Sequence, residues 1–150
     1  MEDIADELRG GMEQAGMEFQ QLIQPGTTLT GNYSLVYAIF RNLMENSIRY
    51  AGQGTKMCAE LYNEDKDFLY SSFRDTGCGV PEEHLPRLFE RFYRVTEGRT
   101  RDCGGTGLGL SIVRNAVLCH SGEISVRNRK EGGLEILFCL KKTHKNGLRN

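Results

Sequence analysis

The chain has 150 residues, 39% hydrophobic and 26% charged, with 19 basic against 20 acidic side chains and a net charge of −1. These are the values of one globular domain, and they exclude fibrous and disordered chains. With no overall positive field there is no general attraction for nucleic acid or for an anionic membrane, so any anionic ligand has to be held locally.

From Glu2 to Ala15 the apolar residues Ile4, Leu8 and Met12 recur every four positions, predicting a helix weakened at Gly10-Gly11. The opening Met1-Glu2-Asp3-Ile4 lacks the basic and apolar parts of a signal peptide, and no run approaches the ~18 apolar residues of a membrane span. A cytoplasmic location is the expectation. A first strand is expected from Met17 to Ile23. After Pro25-Gly26, the stretch Tyr33 to Tyr50 is free of glycine and proline and reads as the central helix. Alternation from Thr55 to Leu61 and the aromatic-rich run Asp67 to Arg74 predict a hairpin around Asn63-Glu64-Asp65.

Beyond Asp75 come a glycine turn, a short helix near Glu82 to Arg91, and a polar, charged stretch without periodicity from Tyr93 to Gly105. Loops of that length inside a compact domain are uncommon and tend to be lids or disordered. A second strong helix is predicted from Gly107 to His120, then strands at Glu123 to Asn128 and Leu134 to Leu140 joined by a turn containing Gly132-Gly133. The basic stretch Lys141 to Asn150 reads as a frayed tail, which divides the chain into a domain over residues 1–140 and a tail over 141–150. Hairpins interleaved with helices indicate an α+β two-layer sandwich with a mainly antiparallel sheet, with a doubly wound parallel sheet as the weaker alternative. The five cysteines, Cys58, Cys78, Cys103, Cys119 and Cys139, are an odd number without a CxxC pair, and read as free thiols.

Three segments carry chemistry. At about 100° per residue, Val36, Phe40, Leu43, Met44, Ile48 and Ala51 share one side of the central helix, while Asn42, Asn46, Arg49 and Tyr50 lie within about a quarter-turn on the other. Two asparagines one turn apart offer neutral oxygens of the kind Mg²⁺ accepts beside water and phosphate, with Arg49 in reach of a phosphate and Tyr50 of a base. A plain polar outer face is the other reading. The segment Asp75-Thr76-Gly77-Cys78-Gly79-Val80 places a carboxylate, able to accept from an exocyclic amine, beside backbone that a planar ligand approaches closely. It is equally a turn that ends a strand. The segment Gly104-Gly105-Thr106-Gly107-Leu108-Gly109-Leu110 leads into a helix and suits a phosphate, or serves as a hinge. It is neither a Walker loop nor a Rossmann fingerprint, since no lysine follows and Leu110 stands where the last glycine belongs. Each segment suits one part of a magnesium nucleotide, and their coincidence favours that ligand.

Four segments in order resemble sensor histidine kinases. Asn42-Leu43-Met44-Glu45-Asn46-Ser47-Ile48-Arg49-Tyr50 resembles the N box, Asp75 to Val80 the first glycine box, Leu88-Phe89-Glu90-Arg91-Phe92-Tyr93-Arg94 the F box, and Gly104 to Leu110 with Ser111-Ile112-Val113 the second glycine box. The resemblance covers about Tyr33 to Leu140 and implies a Bergerat ATP-binding fold, a mixed, mainly antiparallel sheet of about five strands backed by three helices. It implies ATP and Mg²⁺ as ligands. Asn46 would ligate the metal, Asn42 and Arg49 would serve the phosphates, Tyr50 would pack near adenine or ribose, and Asp75 would take the adenine amine. Gly77, Gly79, Val80, Tyr93, Arg94 and the stretch Gly105, Thr106, Gly107, Leu108, Gly109 and Leu110 would complete the nucleotide site. Tyr93 to Gly105 would be the lid, with Phe89 and Phe92, core residues by composition, as its anchors. Arg99 and Arg101 would approach the phosphates on closure or remain solvated.

Hydrolytic relatives carry a glutamate where this chain has Asn42, and an amide cannot act as general base. Transfer to an external imidazole is therefore favoured, with Arg49 and the weaker candidate Glu45 as catalytic groups. His84, His120 and His144 are followed by leucine, serine and lysine, unlike the acidic successor usual for an acceptor histidine. The expected partners are a dimerisation and histidine-phosphotransfer domain of the same parent protein, joined near the first helix, and a response regulator, with no nucleic acid and no membrane contact. An anti-sigma-type serine kinase and a nucleotide-gated binding module without catalysis are the alternatives.

Overall fold

The computed structural model describes residues 1–95 and 105–142. Two short helices, α1 (Glu2–Glu7) and α2 (Arg9–Gln14), open the chain. The predicted single helix is therefore interrupted at Leu8, where ψ rises to 3°, and not at Gly10-Gly11. Ile4 and Met12 are buried all the same, so the four-residue period marked the core-facing side of both pieces.

Strands β1 (Glu18–Leu22), β2 (Lys56–Glu64), β3 (Phe68–Asp75), β4 (Ile124–Asn128) and β5 (Leu134–Lys141) form one sheet in the order β1-β2-β3-β5-β4. The β1–β2 pairing is parallel and the others antiparallel, as the interleaved hairpins predicted. The first hairpin runs further than expected, because its turn falls after Glu64. There Asp65 Oδ1 accepts the N–H groups of Asp67 and Phe68 at 2.8 and 2.7 Å, satisfying donors that the end of a strand would leave open.

The central helix α3 (Tyr33–Tyr50) has its predicted bounds and is capped by Asn32, whose side chain accepts from Leu35 N–H at 3.2 Å. With α4 (Gly109–Cys119) it covers one face of the sheet. That face of β5 contributes Leu134, Ile136, Phe138 and Leu140, all buried, and Phe40 meets Phe138 edge to face at 5.8 Å. Ile39, Leu43 and Met44 are fully enclosed, each such side chain contributing about 1.5–3 kcal/mol. Ile39 lies toward the polar side of the helical wheel and is nonetheless buried, because Val113 and Val117 of α4 share its cluster. On the opposite face of the sheet, Arg74 pairs with Glu60 at 2.5 Å and Arg127 with Glu135 at 2.6 Å.

The helix expected from Glu82 to Arg91 is a short 3-10 turn over Glu82–Arg87. Pro86 inside it has no N–H to donate to an α-helical ladder. Among the described residues no helix is long and apolar enough to cross a membrane.

Candidate functional site

A cavity of about 440 Å³ opens between the second half of α3, the segment after β3 and the start of α4. Asn42, Glu45, Asn46, Arg49 and Tyr50 line it from α3, Asp75, Gly79 and Val80 from the first glycine segment, and Tyr93 and Arg94 from the segment before the predicted lid. Gly105, Thr106, Gly107, Gly109 and Leu110 complete the wall. Gly77 and Leu108 do not line it. Gly77 lies beneath the loop, where a Cβ would sit 2.5 Å from Ala51 O, and Leu108 is the N-cap residue of α4. Cys78, Pro81, Leu88 and Val95 also line the cavity; the first, third and fourth lie in segments named from the sequence without a role of their own, and Pro81 lies outside them. Residues 96–104, with Arg99 and Arg101 and most of the predicted lid, fall outside the described residues, as do His144 and the predicted tail beyond residue 142.

Asp75 is 6% exposed and its carboxylate is held from three elements. Oδ1 accepts from Gly77 N–H at 2.9 Å and Leu134 N–H at 3.2 Å, and Oδ2 from the Ser47 hydroxyl at 3.0 Å. These bonds keep a buried carboxylate in one orientation. Ser47 faces β3 from the buried side of α3, and sequence reasoning passed over it. Asn128 and Arg129, which also hold this segment, were missed as well, because nothing in the chain's periodicity links them to Asp75.

The other end of the cavity is built from open donors. Asn42 Nδ2 donates to Ala38 O at 2.7 Å, which orients the amide. A Cβ on Gly109 would lie 3.3 Å from Asn42 Oδ1, and one on Gly105 would lie 2.6 Å from the Tyr50 hydroxyl and 3.4 Å from an Arg49 guanidinium nitrogen. The glycines thus let backbone come against these side chains. Among the described residues no side chain caps the start of α4, and the first N–H groups of a helix without a cap suit an anion. Glu45 is paired with Arg41 at 3.1 Å, and Arg41 also reaches Glu7 of α1 at 3.2 Å. A hydrogen bond from Tyr37, then one from Arg41, holds the Glu7 carboxyl below the usual range.

The segment leading to the lid is fastened at its base. Phe92 N–H donates to Gly107 O at 2.9 Å, and Tyr93 lies against His84 and under the Arg87 guanidinium, 4.3 Å from its ring centre. Phe92 is not a core residue: its φ is 62° and its side chain is 71% exposed. The left-handed backbone that meets Gly107 turns the ring outward.

Among the described residues no group of three or more His, Cys, Asp or Glu side chains could hold a metal. The amide oxygens of Asn42 and Asn46 suit a hard cation that also takes water and phosphate oxygens, not one caged by protein. A second cavity of about 430 Å³, lined by Met1, Val36, Phe40 and Leu140 among others, brings Glu2 and Asp3 to an apolar wall, a poor setting for an anion.

Residues 31–144 match the model of the histidine kinase-, DNA gyrase B-, and HSP90-like ATPase family. The chain is 37% identical over 103 residues to the sensor histidine kinase WalK of Bacillus subtilis, covering 68% of this chain and 17% of that protein. It is 36% identical over 121 residues to the signal transduction histidine-protein kinase BaeS of Escherichia coli, covering 81% and 26% respectively. The chain thus spans about a quarter or less of these relatives. In structure it resembles the mycobacterial sensor histidine kinase MprB, with a TM-score of 0.78 at 27% identity over 94% of both chains. The nucleotide-free catalytic domain of the histidine kinase ThkA, at 22% identity and a TM-score of 0.80 over 95% of this chain and 90% of that one, shares the fold.

Proposed function

The chain belongs to the histidine kinase-, DNA gyrase B-, and HSP90-like ATPase family, and from that premise we propose that it is the ATP-binding catalytic domain of a sensor histidine kinase. It presents the γ-phosphate of ATP to a histidine on a separate dimerisation and phosphotransfer domain of its parent protein, from which a response regulator then takes the phosphoryl group. The carrying observation is the convergence of α3, the Asp75 segment and the start of α4 on one cavity. One end carries a fixed carboxylate for the adenine amine, and the other carries amide oxygens, Arg49 and the first N–H groups of α4 for phosphates. Bound Mg²⁺ would neutralise phosphate charge beside Asn46 and Asn42.

Asn42 favours transfer over hydrolysis. Its amide has no basicity with which to activate water, and its Nδ2 is engaged with Ala38 O. The incoming imidazole needs no such base, being nucleophilic when neutral. Neither described histidine is placed to serve as acceptor. His84 is bonded to Tyr93, and His120 is buried at the end of α4 with Nδ1 against Ala116 O at 3.0 Å.

The test is titration with a fluorescent ATP analogue and Mg²⁺, on wild type, Asn46→Ala and Asp75→Ala, beside a phosphate-release assay. Saturable binding lost in both variants, with negligible release, is expected. Steady phosphate release by the wild type would make the chain an ATPase, and absence of binding would remove the nucleotide reading.

A further inference from the structure

The strip from Asp75 to Val80 is gripped from two sides. On one side stands the end of α3, with Ser47 on the carboxylate and Ala51 against Gly77. On the other stands the β4–β5 hairpin, about fifty residues further along the chain. Asn128 Oδ1 accepts from Val80 N–H at 3.0 Å, and its Nδ2 donates to Val80 O at 2.6 Å and to Glu82 Oε1 at 3.0 Å. A primary amide is complementary to a peptide unit, so Asn128 satisfies both backbone groups of Val80 as a neighbouring strand would. Beside it, Arg129 Nη1 donates to Asp75 O at 2.8 Å and to Gly132 O at 3.3 Å. The hairpin backbone approaches so closely that a Cβ on Gly133 would lie 2.0 Å from Asp75 O.

This grip decides what Asp75 can still accept. An ionised carboxylate offers about four lone-pair positions. The N–H groups of Gly77 and Leu134 occupy Oδ1 and the Ser47 hydroxyl takes one position on Oδ2. Among the described residues the acceptor that remains is on Oδ2, Asp75 lines the cavity, and the hairpin and α3 together fix the orientation of the carboxylate.

We propose that Asn128 and Arg129 are positioning residues for nucleobase discrimination, an inference that rests on the ATP-binding reading above. By fixing the strip they aim the last acceptor of Asp75 so that a base with an exocyclic amine is taken and one with a keto group in its place is refused. An amine donates to that acceptor, whereas a keto oxygen sets lone pair against lone pair and leaves the carboxylate unmatched. The phosphate contacts come from α3 and α4, which the hairpin does not hold through these bonds. Loosening the strip therefore weakens ATP and hardly alters ITP, which differs from it at that amine.

The test measures dissociation constants of Mg-ATP and Mg-ITP by calorimetry on the full chain, for wild type, Asn128→Ala, Asn128→Asp and Arg129→Gln, each with a melting curve. The wild type should prefer ATP by about tenfold or more. In Asn128→Ala the ATP constant should rise about five- to tenfold while the ITP constant stays within about twofold, so that the ratio narrows. Asn128→Asp, which sets an acceptor against Val80 O and Glu82, should narrow it at least as far. Arg129→Gln should narrow it less, and carries the test if the Asn128 variants do not fold. Folded variants that keep the wild-type ratio overturn the proposal even if both affinities fall together, since mere loss of support lowers both. A wild type that binds both nucleotides equally overturns it as well. A wild type that binds neither overturns the nucleotide reading itself, a distinct result.

Discussion

Two glycine-bearing stretches border the cavity, residues 75–80 and 105–110, and they differ in how their backbone is satisfied. The first is saturated but for one acceptor of Asp75: its aspartate accepts three hydrogen bonds, its Val80 is paired on both backbone groups, and a Cβ at Gly77 would strike the backbone of Ala51. The second leads into a helix that no side chain caps among the described residues, and its Gly105 faces the ends of the Tyr50 and Arg49 side chains. The difference teaches how a site divides its work. A base is recognised by the direction of one acceptor, which must be fixed before the ligand arrives. A phosphate is recognised by donors that stay unsatisfied until it arrives.

Asp75→Ala should break the first stretch most severely. It leaves the Gly77 and Leu134 N–H groups and the Ser47 hydroxyl without their acceptor in a buried place, each costing about 1–3 kcal/mol. A loss of about 3–5 kcal/mol in denaturant unfolding is expected, with nucleotide binding abolished. An unfolding midpoint equal to wild type would mean that water replaces the carboxylate and that the stretch is not saturated.

A matched pair of glycine substitutions sharpens the contrast. The methyl of Gly77→Ala would meet Ala51 O at 2.5 Å and Ala51 Cα at 2.6 Å, neither able to give way without moving the end of α3. About 1–3 kcal/mol of stability should be lost. The nearest atoms to the methyl of Gly105→Ala are the Tyr50 hydroxyl and the Arg49 guanidinium, ends of long side chains that swing aside, so stability should stay within about 0.5 kcal/mol. Binding of Mg-ATP should nevertheless weaken several-fold, because those two side chains are pushed from the cavity wall. Equal stability losses in thermal melts of the two variants would erase the distinction between the stretches.

How far the site was legible follows the same division. Asn42, Asn46, Arg49 and Tyr50 could be placed together because a helix repeats, and one period sorts its faces. The sheet was readable because its strands alternate and its hairpins are local. Ser47 was not, although it lies between named residues, because its role is set by β3 packing over it. Asn128 and Arg129 act on residues 48 and 54 positions away, a relation no local pattern encodes. Phe92 misled for the opposite reason: an aromatic residue reads as core by composition, and its left-handed φ, where its backbone lies against Gly107, accompanies a ring turned outward. Pro86 was in plain view, and its missing N–H is the local signal that a helix over Glu82 to Arg91 would stop short.

Acid should loosen the first stretch from behind, through the turn end of the hairpin that holds it. Burial pushes the Glu135 carboxyl up, but hydrogen bonds from Ser72 and Arg127 and the charges of Arg127 and Arg74 outweigh it, leaving Glu135 below the ordinary value of 4.5. A carboxyl whose folded value is depressed adds stability that is present above its unfolded value and disappears as pH falls through the folded one. Glu135→Gln should therefore be less stable than wild type at neutral pH, by a modest amount since Arg127 is largely exposed. The gap between the two denaturation midpoints should close as pH is lowered from about 5 toward 3. Because β4 is an edge strand held in the sheet through β5, protonation should show in the hairpin first. Amide exchange measured across that range should rise at Val80 and in β4 before it rises in α3. Exchange that rises in α3 at the same pH as in β4 would mean that the hairpin and the helix layer open as one unit.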